Sequence, residues 1–166
     1  PRLAIESNGD EEVFYEKLQA MMELVAQQLL DRFEIQASKH IYNYPFLMGQ
    51  GIWLDADKLT TQDDLRDVLK HGTLSIGFIG LAETLTALYG HHHGEDEQWQ
   101  EKGKQILTFM RKFCDNKSQE LKMNFSLLGT PAEGLSGRFI RMDQKRYGKI
   151  PGVTDREYYT NSFHIP

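Results

Sequence analysis

Between residues 10 and 38, apolar positions recur at steps of three and four. Phe14, Leu18, Met21, Met22, Val25, Leu29 and Phe33 form one stripe, with Glu16, Lys17, Glu23, Gln27 and Asp31 off it. That period predicts a long amphipathic helix over 10–38. "YNYPFLMGQGIW" follows with no period, and Pro45 and two glycines predict an irregular connection. "TQDDLRDVLKHG" reads as a short helix, started by Thr61 with Asp64 three residues on and stopped at Gly72. "TLSIGFIG" (73–80) is predicted as a strand and "LAETLTALYG" as the helix after it. The polar turn "HHHGEDE" opens a further helix to about Leu121, carried by Trp99, Ile106, Leu107, Met110 and Phe113. "KMNFSLLG" is a second strand, "PAEGLSGRFIRMDQKRYG" its helix and "YYTNSFHI" a third strand, while the opening "PRLAIESNGD" reads as a strand end running into a loop. Strands alternating with helices predict an α/β protein with parallel strands, here helix-rich with three to four strands.

Composition narrows the function classes. The 166 residues are 40% hydrophobic and 26% charged with a formal net charge of −5, a mild acidity that argues against a dedicated nucleic-acid surface. No apolar run approaches the ~20 residues of a membrane span, so a cytoplasmic protein without nucleic-acid or membrane partners is expected. The single cysteine, Cys114, permits neither an internal disulfide nor a cysteine-rich zinc site, and it is expected to be structural. The start without Met and the stop inside an alternating pattern suggest a piece of a longer polypeptide, residues 1–166 forming one partial domain.

Candidate chemistry gathers where a strand hands over to a helix, because ligands of α/β sheets collect at the carboxyl ends of strands. "GTPAEG", residues 129–134, is such a junction. Thr130 as N-cap, Pro131 at the first helical position and Glu133 three residues on would make a capping box, a purely structural role. Gly134 and Gly137 would then share a face of the first turns, where bare backbone and free N–H groups suit an anion such as phosphate. Pro131 brings no N–H and Glu133 brings a negative charge, so both readings stay open. In the third strand, Thr160, Ser162 and His164 should point one way, into a polar cleft, and Tyr159, Asn161, Phe163 and Ile165 the other. His91, His92 and His93 are consecutive in a loop and cannot converge on one ion, so a solvated turn is expected there, with Glu95, Asp96 and Glu97 favouring the next helix N-terminus. Arg138, Arg141, Lys145, Arg146 and Lys149 form a basic run that reads as a solvated face.

Together, "HGTLSIGFIGLAETL", "NFSLLGTPAEGLSGRF" and "YGKIPGVTDREYYTNSFHIP", in this order and behind "PRLAIE", resemble the catalytic domain of the anaerobic (class III) ribonucleoside-triphosphate reductases. The resemblance implies a ten-stranded α/β barrel built from two five-stranded parallel halves, of which this chain is an internal fragment. It implies reduction of ribonucleoside triphosphates to deoxyribonucleotides by radical chemistry in a homodimeric parent enzyme. There a glycyl radical, installed by an activase that uses S-adenosylmethionine and an iron–sulfur cluster, oxidises a finger-loop cysteine. By the same resemblance, that cysteine and the nucleotide effector site lie upstream of this chain, and the glycyl radical and a structural zinc site lie downstream. No catalytic residue and no bound cofactor is therefore expected within it. Gly129, Thr130, Pro131, Ala132, Glu133 and Gly134, with Asn161, Ser162 and His164, are implied as part of the substrate cradle, and Gly77 and Gly80 as positions of close packing in the barrel wall. The alternatives are a non-catalytic nucleotide-binding α/β module and another glycyl radical enzyme.

Overall fold

A computed structural model describes residues 1–163. Among the described residues six α-helices and two strands run in the order α1 (Arg2–Ser7), α2 (Glu11–Ala37), α3 (Arg66–Leu69), β1 (Thr73–Phe78), α4 (Leu81–Tyr89), α5 (Glu97–Leu121), β2 (Asn124–Gly129) and α6 (Glu133–Tyr147), with short 3-10 turns at Ile41–Asn43 and Ala56–Lys58. The predicted long helix is α2. Asp10 caps it by accepting from the Val13 N–H at 3.1 Å, which satisfies one of the orphan donors of the first turn. Asp96 does the same for α5, accepting from the Trp99 N–H at 3.1 Å.

β1 and β2 pair in parallel, Thr73 opposite Asn124 and Phe78 opposite Gly129. A parallel pair cannot be closed by a tight turn, and α4 with α5 supplies the long crossover. Period-two alternation splits the sheet. Leu74, Ile76 and Phe125 face the core, whereas Ser75 and Ser126 face outward and share a hydrogen bond of 2.9 Å between their hydroxyls. One apolar cluster holds the layers together. It joins Phe14, Leu18 and Met22 of α2, Ile76 of β1, Leu85 of α4, Ile106, Met110, Phe113 and Cys114 of α5, and Phe125 of β2. Cys114 is fully buried there and its desolvation pushes the thiol above its ordinary value, in keeping with a packing role. A second, smaller cluster of Met48, Ala56, Leu65 and Val68 organises the irregular connection, where Trp53 Nε1 donates to the Val68 carbonyl at 2.8 Å. Among the described residues no helix is long and apolar enough to cross a membrane.

Three local expectations are corrected. The opening residues form a helix, α1, ended by Asn8 and Gly9 in left-handed conformation with φ of 52° and 80°. Six residues are too few for a period to show, and α1 is fixed instead by distant partners. Arg2 pairs with Asp143 on α6 at 2.6 Å, and the Glu6 carboxylate accepts from the Tyr147 hydroxyl and pairs with Arg146 at 3.2 Å. The short helix shrinks to Arg66–Leu69, because Asp63 turns back to accept from the Thr60 N–H and hydroxyl, both at 2.8 Å, and closes a turn where the helix was expected to start. The third strand is absent from the described part of 158–165: residues 158–163 are irregular. Tyr159 and Thr160 are both buried, which alternation forbids for neighbours on a one-sided strand.

Two outcomes test this packing. Leu85 is fully buried at the centre of the main cluster, so Leu85→Ala should cost about 2–5 kcal/mol, seen as a lowered denaturant midpoint at unchanged slope. The Tyr147 hydroxyl bond, with Arg146 and Lys17 nearby, holds Glu6 below the ordinary glutamate range. Its contribution is therefore complete above the unfolded-state value and is lost as the pH falls through the lowered folded-state value. Glu6→Gln should be less stable than the unmodified protein at neutral pH, by the order of 1 kcal/mol or less, and the difference should vanish in acid. Unfolding followed across pH 2–7, a window spanning about two units either side of an ordinary carboxyl value, reads this directly.

Candidate functional site

The carboxyl ends of both strands run into helices through glycine-containing turns, and the 156–163 segment lies across the two turns. At the end of β1, Gly80 has φ of +77°, a conformation that side chains resist, so glycine is required at this N-cap of α4. At the end of β2, the Thr130 N–H donates to the Phe78 carbonyl at 3.1 Å, continuing the strand pairing by one residue. That bond overturns the predicted capping box. The Thr130 N–H is taken by the end of β1, α6 starts at Glu133 with Ala132 as N-cap, and no side chain caps it. Pro131 is accordingly outside the helix, its carbonyl accepting from the Glu133 N–H at 2.7 Å.

The Thr130 side chain has another use. A Cβ built on Gly77 would stand 2.2 Å from Thr130 Oγ1. The hydroxyl therefore occupies the space that any other residue at 77 would fill, and β1 accepts a glycine in its interior so that the second turn can close over it. Gly134 is different. Nothing lies within 4 Å of its Cβ position, and its φ is not in the left-handed region, so neither packing nor backbone conformation requires glycine there. Gly137 lies one turn on, its Cβ position 3.5 Å from the Glu157 carbonyl, beside the incoming segment.

Two buried carboxylates that sequence reasoning passed over hold that segment. Glu83, in the first turn of α4, is fully buried and accepts from the Thr160 N–H at 3.1 Å, from the Thr160 hydroxyl at 2.8 Å and from Arg156 at 3.1 Å. The Thr160 carbonyl in turn accepts from the Gly80 N–H at 2.6 Å. Asp143 on α6, also buried, takes the Tyr159 hydroxyl at 2.9 Å and Arg2 at 2.6 Å. Burial, followed by the Asp143 charge, pushes the Tyr159 phenol far above its ordinary value, so it stays a donor. Asn161 Nδ2 reaches Ser136 Oγ at 3.3 Å, and the Ser162 N–H reaches the Thr130 carbonyl at 3.4 Å. The only signals for Glu83 and Asp143 in the sequence were their places inside "GLAETL" and "RMDQK", where a charged residue on an amphipathic helix reads as solvated.

The cradle residues are therefore partly gathered. Ser162, through its N–H to the Thr130 carbonyl, and Asn161, through Ser136, come to lie beside the turn of Gly129, Thr130, Pro131, Ala132, Glu133 and Gly134; His164 and Ile165 lie outside the described residues. The expected facing of the last strand needs correction. Thr160 is buried on Glu83, but Ser162 and Phe163 are both exposed, Phe163 at 65%, rather than on opposite faces of a strand. The histidine turn is closed by Glu95, which bonds His91 Nδ1 at 2.7 Å and the His92 N–H at 2.8 Å, with His91 stacked on Trp99. Among the described residues no group of three or more His, Cys, Asp or Glu is arranged to hold a metal ion. An apolar cavity of about 370 Å³ lies under β1, walled by Leu18, Met22, Val25, Ile76, Phe78 and Met110. Its charged pair, Arg2 with Asp143, is already satisfied internally, so it offers nothing to a polyphosphate.

Parallel strands that end in glycine turns and helix N-termini, crossed by an anchored irregular segment, define an α/β domain of the kind that receives ligands at its strand ends. The family described as anaerobic ribonucleoside-triphosphate reductase matches residues 1–166, and the chain belongs to it. The anaerobic ribonucleoside-triphosphate reductase of Escherichia coli is 38% identical over 168 residues, which cover 99% of this chain and 23% of that protein. Its counterpart in Enterobacteria phage T4 is 32% identical over 171 residues, covering 99% and 26%. The chain thus spans about a quarter of the length of the curated relatives it matches. The crystal structure of the anaerobic ribonucleotide reductase from Thermotoga maritima superposes with a TM-score of 0.67 at 21% identity, over 96% of this chain and 24% of that one. The fold is accordingly that of part of the reductase's catalytic α/β barrel.

The Gly77–Thr130 contact is open to a double-mutant cycle. Gly77→Ala should destabilise by about 1 kcal/mol or more, by forcing Thr130 out of its rotamer. In a Thr130→Ala background the same change should be neutral or stabilising, since alanine suits a strand interior better than glycine by about 0.5–1 kcal/mol. Denaturant unfolding of the four proteins measures the coupling.

Proposed function

We propose that the polypeptide containing this chain reduces ribonucleoside triphosphates to deoxyribonucleotides anaerobically, and that residues 129–134 receive the substrate's phosphates. The observation that carries the reading is Gly134: a glycine in the first turn of α6, at the carboxyl end of β2, with open space where a side chain would stand. Neither fold nor packing asks for it, whereas a ligand approaching backbone N–H groups does. Asn161 and Ser162 stand beside the same turn, bonded to Ser136 and to the Thr130 carbonyl. Glu133 sits in the first helical turn with its carboxylate exposed, so it can turn to solvent when an anion arrives.

The radical chemistry belongs to other parts of the polypeptide. This chain's one cysteine is Cys114, buried in the core; following the resemblance, the radical-carrying cysteine, the glycyl radical and the structural zinc site are assigned outside these residues. A radical S-adenosylmethionine activase, a homodimeric parent enzyme and a cytoplasmic location complete the proposal. No nucleic-acid or membrane partner enters it.

Gly134→Val separates the phosphate site from a mere helix start. In the complete enzyme the branched side chain should weaken triphosphate binding at least tenfold, about 1.4 kcal/mol. The melting temperature should hardly fall, because valine is the better helix former. Unchanged affinity with a raised melting temperature would return this turn to a structural role. Anaerobic turnover of ribonucleoside triphosphates by the activated complete enzyme tests the activity itself.

A further inference from the structure

We infer that Glu83 is a positioning residue of the phosphate-receiving turn, acting through Thr160 to hold Asn161 and Ser162 in register with residues 129–134. The inference rests on the functional reading above and names a residue that reading does not require.

Segment 156–163 has no regular secondary structure, so no strand ladder sets its place. Its location is decided by a few directed bonds, and three of their donors converge on one carboxylate. Three donors, the Thr160 N–H, the Thr160 hydroxyl and the Arg156 guanidinium, fill Glu83, and the Gly80 N–H holds the Thr160 carbonyl from the opposite side. Thr160 is thereby gripped at both ends of its backbone, 77 residues along the chain from Glu83. Apolar residues replacing a buried ion pair as a whole are often neutral or stabilising, so bulk stability by itself does not call for a carboxylate and its guanidinium partner here. Apolar packing would fix where the segment lies but not how its peptide planes are turned. A carboxylate that accepts from both the N–H and the hydroxyl of one residue fixes that rotation. The turn then propagates. Asn161, the next residue, bonds Ser136 in the first turns of α6, and the Ser162 N–H meets the Thr130 carbonyl inside the phosphate turn itself. Glu83 thus stands at the start of a bonded path that joins the β1–α4 turn to the β2–α6 turn, with the incoming segment as the bridge.

The test compares Glu83→Gln, the double variant Glu83→Gln/Arg156→Gln and Thr160→Val in the complete enzyme. Steady-state turnover of ribonucleoside triphosphates is measured together with amide hydrogen exchange. Glu83→Gln should raise KM about tenfold or more and leave kcat within about threefold, because the phosphates are misplaced and the reacting groups are not. Exchange at Thr160 and Ser162 should quicken about tenfold or more, with α2 and α5 unaffected. The double variant removes the unpaired Arg156 charge and should recover the melting temperature but not KM. Thr160→Val, lacking one donor, should show a smaller rise in KM, and it keeps the test decisive if Glu83→Gln fails to fold. Recovery of KM along with stability in the double variant, or unchanged exchange at 160 and 162, overturns the inference. So does an unchanged KM in an enzyme whose Gly134→Val variant loses affinity. A complete enzyme that neither binds nor reduces ribonucleoside triphosphates overturns the functional reading instead, and this inference with it.

Discussion

A carboxylate with no access to water must find donors or be destabilising by several kcal/mol, and at Glu83 those donors come from residues 156–160. That requirement brings the last described segment onto the strand ends. Once Thr160 is docked, Tyr159 falls beside Asp143, and Asp143 collects Arg2, so α1, α6 and the terminal segment meet at one place. The apolar cluster of α2, β1, α4, α5 and β2 gives the domain its bulk stability. The two buried acids decide how the pieces with no apolar stripe of their own are arranged around it.

The strand ends show how close packing and access coexist. Gly77 is glycine because Thr130 needs its space, and Gly80 because the chain turns with φ of +77°. Both are consumed by the fold. Gly134 is consumed by nothing in the fold, and on this difference, invisible in a count of glycines, rests the proposal of a ligand at the second turn. The same turn is braced on the β1 side by the Phe78 carbonyl and on the other by Ser162, so a ligand there would meet a backbone already held in place.

Long elements were legible because periodicity averages over many residues. α2 lies within one residue of its predicted span at each end, and α5 opens behind the acidic residues 95–97 expected to favour its N-terminus. The parallel pair β1 and β2 followed from apolar runs bounded by glycine and separated by two helices' worth of chain. Short pieces were misread for the converse reason. Six residues of α1 and the 158–163 stretch contain too few positions for a period to outweigh a single tertiary bond.

What the sequence determined by itself was the class of the domain, its long helices, its strand ends and the family to which it belongs, because these rest on local pattern and on residue order. What only the tertiary structure decided was which polar residues would be buried and with whom. "YYTNSF" alternates like a strand, yet the Thr160 N–H finds a glutamate 77 residues away before any strand partner. Thr130 and Glu133 carry the spacing of a capping box, yet the Phe78 carbonyl at the end of β1 claims the Thr130 N–H first. In each case two satisfactory partners competed for one hydrogen-bonding group. The choice between them depends on which partner is desolvated in the finished fold, a property of three-dimensional neighbours that no local pattern records.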